Sequence, residues 1–169
     1  GTFAQINPPL RTEMHANRLW YGLQKGLISS IVTDHAPHLI EEKQEPFFKA
    51  PSGMPGVETL LPLTLQFYHQ QKATLNDVSR WLSSAPQSLF NIDSRGQLQK
   101  GYFADLVLVD LNASYTLSNA NTISQCGWTA FDGMPVKGRP LMTFVNGQLV
   151  FREGDFFHTP KNAQSVSFK

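Results

Sequence analysis

The chain has 169 residues, and its 14 Lys+Arg against 13 Asp+Glu leave a formal charge of +1, which gives no electrostatic footing for nucleic acid or an anionic membrane surface. One cysteine, Cys126, excludes an internal disulfide framework and a cysteine-based zinc ribbon, and neither a membrane-length apolar run nor a signal peptide is seen, so a soluble, cytoplasmic protein is expected. Charged residues are only 16% of the chain while Phe occurs 12 times, a composition that, with Gly1 where an initiating Met would stand, points to a piece cut from or docked against something larger.

Residues 2–6 read as a short extended segment closed by Asn7-Pro8-Pro9, because two prolines forbid continuation of a strand or helix. Thr12 is placed to cap a helix running to about Lys25. In it Ala16, Leu19, Trp20 and Leu23 share one face of a 3.6-residue repeat, and Gly26 sits at the stop. Residues 27–33 (LISSIVT) read as a buried strand that ends at Asp34-His35-Ala36-Pro37-His38. Strand, helix, strand in this order predicts a βαβ unit with parallel neighbouring strands. Asn7 and Asp34, each just past a strand's last apolar residue, then project into one region.

Residues 39–52 lack clear periodicity and read as a polar loop, with Glu41, Glu42, Lys43 and Glu45 on a solvated face. A Gly/Pro stretch over 51–56 leads into a helix of about 57–71, which Pro62 obliges either to start late or to kink. Thr74-Leu75-Asn76-Asp77 is a capping pattern for a further helix with Val78, Trp81, Leu82 and Ala85 on one face. A short helical turn follows over 86–91. From Gly96 the character changes. Residues 104–110 (ADLVLVD) form a strand, 115–117 are a candidate for another, and 141–145 pair with 148–151 across Asn146-Gly147, since a type I′ turn needs positive φ at both positions. The polar tail after Asp155 is expected to wrap a surface.

The stretch Thr33-Asp34-His35-Ala36-Pro37-His38 is the most informative chemically. A carboxylate at the C-terminal end of a parallel strand can ligate a metal or move a proton, and the turn imposed by Pro37 directs His38 over the same mouth. Asp and His are also common turn residues, so on composition a purely structural role for Asp34, His35 and His38 stays open. The spacing of His35 and His38 does not by itself make a metal site. His15, His69 and His158 read as surface residues, Trp20, Trp81 and the phenylalanines as core or interface. Cys126 has no neighbour in sequence that would make it a nucleophile.

Asn7-Pro8-Pro9-Leu10-Arg11, then Thr33-Asp34-His35-Ala36-Pro37-His38, then Pro51-Ser52-Gly53-Met54-Pro55-Gly56-Val57-Glu58-Thr59 resemble three successive motifs of the dihydroorotases. That family belongs to the amidohydrolase superfamily of metal-dependent cyclic-amide hydrolases. Residues 101–110 (GYFADLVLVD) resemble the superfamily's C-terminal strand, and Phe144-Val145-Asn146-Gly147 its closing hairpin. The likeness runs from Asn7 to about Gly154.

The resemblance implies an α/β fold: the C-terminal part of a (β/α)8 TIM barrel followed by part of a small β-sandwich. Residues 1–95 would be the last strands and helices of the catalytic barrel, with 2–6 its seventh strand and 27–33 its eighth. Residues 96–169 would be the sandwich segment and tail. The implied reaction is the reversible hydrolysis of L-dihydroorotate to N-carbamoyl-L-aspartate in pyrimidine biosynthesis, usually with two zinc ions. Asp34 would bind metal and act as the catalytic base, while Asn7, His38, Ser52 and Gly53 would bind substrate, the last two through their backbone. Arg11, at a helix start where arginines are usually solvated, is a lesser candidate for a carboxylate clamp.

The family's His-x-His pair with its following arginine, its bridging lysine and its later metal histidines are absent from the sequence. A (β/α)8 barrel takes about 250 residues, so the expectation is an incomplete member that is inactive alone and whose first partner is the N-terminal part of its own barrel. A small-molecule substrate is implied, and a homodimer is left open. Two other readings remain: a non-catalytic dihydroorotase-like partner of aspartate transcarbamoylase, disfavoured by the presence of Asp34 and His38, and a cyclic amidohydrolase acting on allantoin or a hydantoin.

Overall fold

The helix after Asn7-Pro8-Pro9 forms where the 3.6-residue repeat placed it: α1 spans Glu13–Gln24, entered from Thr12 in extended backbone and left through Gly26 at φ +72°. The computed structural model describes residues 1–157 and 164–169, so His158 lies outside the described residues. The described chain divides into two units, Gly1–Thr64 with Tyr115–Val136 and Leu65–Ser114 with Lys137–Lys169. These interleave in sequence, and the change of character at Gly96 is a switch from helices to strands.

In the first unit, two expected strands are not formed. Residues 2–6 hold a 3-10 turn, Thr2–Ala4, and residues 27–33 run without any strand pairing. Nor is the second segment buried, since Leu27 is 77% and Val32 72% exposed. A strand exists through the ladder that receives its N–H and C=O groups, and neither segment has a neighbouring strand here. The βαβ unit is therefore not closed. What parallel pairing there is comes from a single bridge, His35 with Met54, where the Ala36 N–H donates to the Met54 carbonyl at 3.1 Å. Leu19, on the apolar face of α1, is exposed for the same want of a covering layer, whereas Leu23 is buried.

The expected loop over 39–52 contains a helix, α2 (Ile40–Gln44), entered with the Leu39 N–H donating to Glu42 Oε2 at 2.8 Å. Five residues are too few to show a period, which is why the pattern missed it. Helix α3 (Leu60–His69) takes the first option that Pro62 allowed. It starts late and puts the proline in its first turn, where a missing N–H breaks no intrahelical bond. Leu117, Cys126, Trp128, Val136, Leu23 and Ala50 form the buried apolar part of this unit.

In the second unit, the capping box is realised. The Asp77 N–H donates to Thr74 Oγ1 at 3.1 Å and the Thr74 N–H to Asp77 Oδ2 at 3.0 Å, opening α4 (Leu75–Ser79). The helix then widens into one π turn, Arg80–Ser84, and continues as α5 (Ala85–Leu89). Pro86 has no N–H to give, and the preceding Ala85 N–H reaches back five residues to the Arg80 carbonyl. Val78 and Trp81 are buried as the face required.

The strands form a four-stranded sheet in the order β1-β2-β3-β4: β1 Leu106–Thr116, β2 Pro135–Val145, β3 Gln148–Arg152 and β4 Asp155–Phe156. β1 joins the two segments read separately, taking in 106–110 of the first and 115–116 of the second. Asp110 bridges the interval by accepting from the Asn112 and Ala113 N–H groups at 2.8 and 3.3 Å. The β2–β3 hairpin has the expected turn, with Asn146 at φ +52° and Gly147 at φ +78° and Val145 facing Gln148. A bulge between Thr143 and Phe144 shifts its register. Of the tail, residues 167–169 lie along 91–93, where the Asp93 N–H donates to the Ser167 carbonyl and Lys169 Nζ reaches Asp93, each at 2.8 Å.

Candidate active site

The site is a corner of the first unit in which residues 33–38 lie against 51–57. His35 sets it. Beyond its bridge to Met54, its Nδ1 accepts the Gly56 N–H at 3.0 Å and the Val57 N–H at 3.4 Å, which leaves its ring proton on Nε2. This is a loop-supporting role, not a ligand's.

Just before it, Asp34 adopts φ +44°, a left-handed conformation that Asp tolerates better than most residues. Its side chain is exposed, and no hydrogen bond or ion pair engages its carboxylate among the described residues. An anionic group presented this way, in backbone that costs of order 1 kcal/mol to hold, is available to a ligand.

His38 is fixed at both ends. Its Nε2 donates to the Ser52 carbonyl at 3.2 Å and its own carbonyl accepts the indole N–H of the buried Trp128 at 2.7 Å. Trp128 in turn receives the Phe3 ring edge-on, with centroids 5.0 Å apart. Glu42 lies 3.7 Å from His38 Nδ1.

Gly53 closes the corner. At φ +137° a Cβ there would sit 2.7 Å from the Ala36 carbonyl oxygen and 2.8 Å from the Ala36 Cβ, so the two segments approach only because this residue has none. Its N–H donates to the Gln5 carbonyl at 2.9 Å and its carbonyl accepts from Lys43 Nζ at 3.0 Å. With the Ser52 carbonyl also taken, the Ser52 N–H and hydroxyl are the groups of this pair left without a protein partner among the described residues. Asn7 follows two residues after Gln5 and is exposed, as is Arg11.

The feature that sequence reasoning missed is Lys43. Read as part of a solvated acidic face, it is instead completely buried, and its ammonium donates to the carbonyls of Pro51 at 2.8 Å, Gly53 at 3.0 Å and Gln5 at 3.4 Å. Burial holds its pKa below the ordinary lysine value. Nothing local separates this lysine from its acidic neighbours, because its partners lie in two other segments. Glu58 was also passed over. Its carboxylate accepts the N–H groups of Ile123 and Ser124 at 2.9 and 2.7 Å and ties residues 123–124 to the start of α3.

Residues 7–150 match the Amidohydrolase family. The chain belongs to that family. It is 43% identical over 152 residues to a dihydroorotase of Anaplasma phagocytophilum strain HZ, covering 90% of this chain and 34% of that protein. A dihydroorotase of Halobacterium salinarum is 39% identical over 155 residues (92% and 36%), and one of Pyrococcus furiosus 33% over 162 (96% and 37%). The chain thus spans about a third of the length of these curated relatives. Among solved structures, an L-hydantoinase (dihydropyrimidinase) from Arthrobacter aurescens superposes with a TM-score of 0.92 at 31% identity, covering 99% of this chain and 38% of that one. A D-hydantoinase superposes with a TM-score of 0.90 at 23% identity, over 96% and 37%, a likeness of fold. The resemblance carried by the three motifs is borne out, and the architecture is mixed α/β with a small antiparallel sheet.

Amidohydrolases generally depend on metal, and the donors in this chain can be tested for the part. Among the described residues no group of three His, Cys, Asp or Glu side chains converges on one point. His35 Nδ1 already accepts backbone N–H groups, and His38 Nε2 donates to a carbonyl. Of the motif side chains Asp34, His35 and His38, Asp34 is the one that offers anionic oxygens with no hydrogen bond or ion pair among the described residues. The Asp34 carboxylate therefore fits the part of one metal ligand, and the described residues do not bring further ligands to it. No helix among the described residues is long and apolar enough to cross a membrane.

Proposed function

We propose that this chain is the C-terminal part of a dihydroorotase and carries its catalytic carboxylate. The observation behind this reading is the exposed, unpaired Asp34 carboxylate held in left-handed backbone at a corner of a chain 33–43% identical to proteins named dihydroorotase. In the full-length protein, residues 1–95 supply the last strands and helices of a (β/α)8 barrel and 96–169 a β-sandwich segment. Segments 2–6 and 27–33 then gain the ladder partners they lack here, as their exposed apolar side chains require.

Asp34 is the metal ligand from this chain and the proton carrier. A metal bound there, zinc and two ions in the complete enzyme, supplies Lewis acidity and lowers the pKa of water. The Asp34 carboxylate takes the proton of the water that attacks the ring amide carbon, then returns it to the leaving ring nitrogen, so one group serves as base and then acid. Asn7, the part-exposed His38 ring and the Ser52 N–H and hydroxyl hydrogen-bond the ring amide and carboxylate of dihydroorotate. Gly53 contributes absence of bulk and a fixed turn. The protein is cytoplasmic, the N-terminal part of its own barrel is its first partner, and pairing of two complete copies is compatible with the reading.

The test is an assay of the full-length protein on L-dihydroorotate, before and after chelation and after zinc is restored. Turnover that disappears on chelation and returns with zinc is expected. No turnover by zinc-loaded protein rejects the proposal, and turnover by residues 1–169 alone rejects the need for the missing part. A second reading, hydrolysis of a hydantoin or allantoin ring by the same Asp34 chemistry, is favoured by the 31% identity to an L-hydantoinase. The 43% identity to a dihydroorotase ranks it second, and including hydantoin and allantoin in the assay separates the two.

A further inference from the structure

Lys43 is a buried cation inside a segment rich in carboxylates, yet no carboxylate neutralises it in the structure: its three ammonium hydrogens are matched by the Pro51, Gly53 and Gln5 carbonyls. A desolvated charge is expensive unless its donors are all satisfied, and three convergent carbonyls satisfy a tetrahedral ammonium fully. The indole of Trp128 lies 5.9 Å from the same nitrogen. The backbone of Lys43 is tied down as well, its carbonyl accepting from the Thr2 hydroxyl.

The carbonyls chosen are informative. Gln5 stands two residues before Asn7, while Pro51 and Gly53 flank Ser52 on either side. Gly53 also donates to Gln5, and Ser52 receives His38 Nε2. Lys43 therefore anchors both residues that flank Ser52, whose carbonyl receives His38, and the residue two before Asn7, and its hydrogen bonds go to neither Asp34 nor its His35 support. We infer that Lys43 is a positioning residue that fixes the substrate-binding edge of the site independently of the carboxylate that performs the proton transfer. This rests on the dihydroorotase reading for the identity of the substrate, but not for the mechanical role.

The test uses full-length, zinc-loaded protein carrying Lys43→Met, which keeps an unbranched side chain one atom shorter and removes its charge and donors. KM for dihydroorotate should rise by about tenfold or more while kcat stays within about threefold, the pattern expected when binding and not chemistry is lost, and bound zinc should be unchanged. A fall in kcat at unaltered KM, or loss of zinc in step with activity, overturns the inference. Hydrogen exchange supplies a readout without turnover. The Gly53 amide should lose protection in Lys43→Met while the Gly56 and Val57 amides, which donate to His35, and the amides of α1 keep theirs. Unchanged protection at Gly53, or equal loss at Gly56 and Val57, overturns the role. If Lys43→Met does not fold, the same exchange comparison on Lys43→Arg decides by the same outcomes, because a planar guanidinium cannot place donors on three convergent carbonyls as an ammonium does. Absence of turnover in the wild-type protein would reject the proposed function and leave the exchange result to decide the role of Lys43.

Discussion

The β2–β3 hairpin and the corner made by residues 34–38 and 51–57 each turn on a glycine with positive φ, yet they are held by different kinds of contact. At the hairpin, Asn146 and Gly147 make the reversal themselves and Val145 faces Gln148 directly, while the Asn146 N–H donates to Asp105 and the Gly147 N–H to the Ala104 carbonyl. At the corner, Gly53 is used for close approach: its neighbours are Ala36, Gln5 and Lys43, none of them adjacent in sequence. A turn made by its own residues needs only φ freedom from glycine. A corner made by segments meeting needs the missing Cβ as well.

The largest effect that would sharpen this contrast is chemical. Asp34→Asn keeps a residue that tolerates left-handed backbone and removes the anion, so kcat on dihydroorotate should fall by about 10²–10⁴-fold, the usual worth of a positioned acid–base group, while the thermal midpoint barely moves. An active Asp34→Asn enzyme would end the assignment of the carboxylate. Gly53→Ala comes next. It combines φ +137° with a Cβ 2.7 Å from a backbone oxygen, and strain plus overpacking should cost about 3 kcal/mol in urea unfolding.

Gly147→Ala meets nothing closer than the Ala104 Cβ at 3.9 Å, so only the positive φ is penalised and about 1.5 kcal/mol is expected. Its kinetic constants should be those of wild type. Equal costs for the two glycine variants would break the distinction between the turn and the corner. The smallest effect belongs to the other locally made feature, the capping box, where Thr74→Ala should cost about 1 kcal/mol. The Thr74 hydroxyl, then the Thr74 N–H, hold the Asp77 carboxyl below its ordinary value of 3.8, with Arg80 adding less. A carboxyl with a depressed folded-state pKa stabilises above its unfolded value, and that contribution is lost as pH falls through the folded one. The acid limb of the unfolding curve should therefore flatten in Thr74→Ala, which a pH series of thermal midpoints would reveal.

The same division explains what could be read from the residues alone. Thr74 and Asp77, Asn146 and Gly147, and the bounds of α1 are features whose cause lies within a few positions, and each stands where its pattern put it. The motif containing Asp34 and His38 was visible as a likeness, but not what holds it: the partners of His38 are Ser52 and Trp128, the latter 90 positions away. Lys43 was misread because its environment is composed of carbonyls from residues 5, 51 and 53, and a carbonyl leaves no trace in the identity of its residue. Residues 27–33 failed in the opposite sense. Their composition is that of a buried strand, and the pairing and cover that would make it one are not supplied by this chain.

Among the described residues β1 opens the sheet with β2 as its one strand neighbour, and Leu106, Val107 and Leu108 at its start are exposed. An edge strand that begins with exposed apolar residues is a template for another copy of itself. Handled apart from the rest of its protein, the chain is thus expected to be a self-adhesive material, assembling strand to strand into insoluble stacks. Lysine in place of Val107, a charge at that margin, is the change that would keep it in solution.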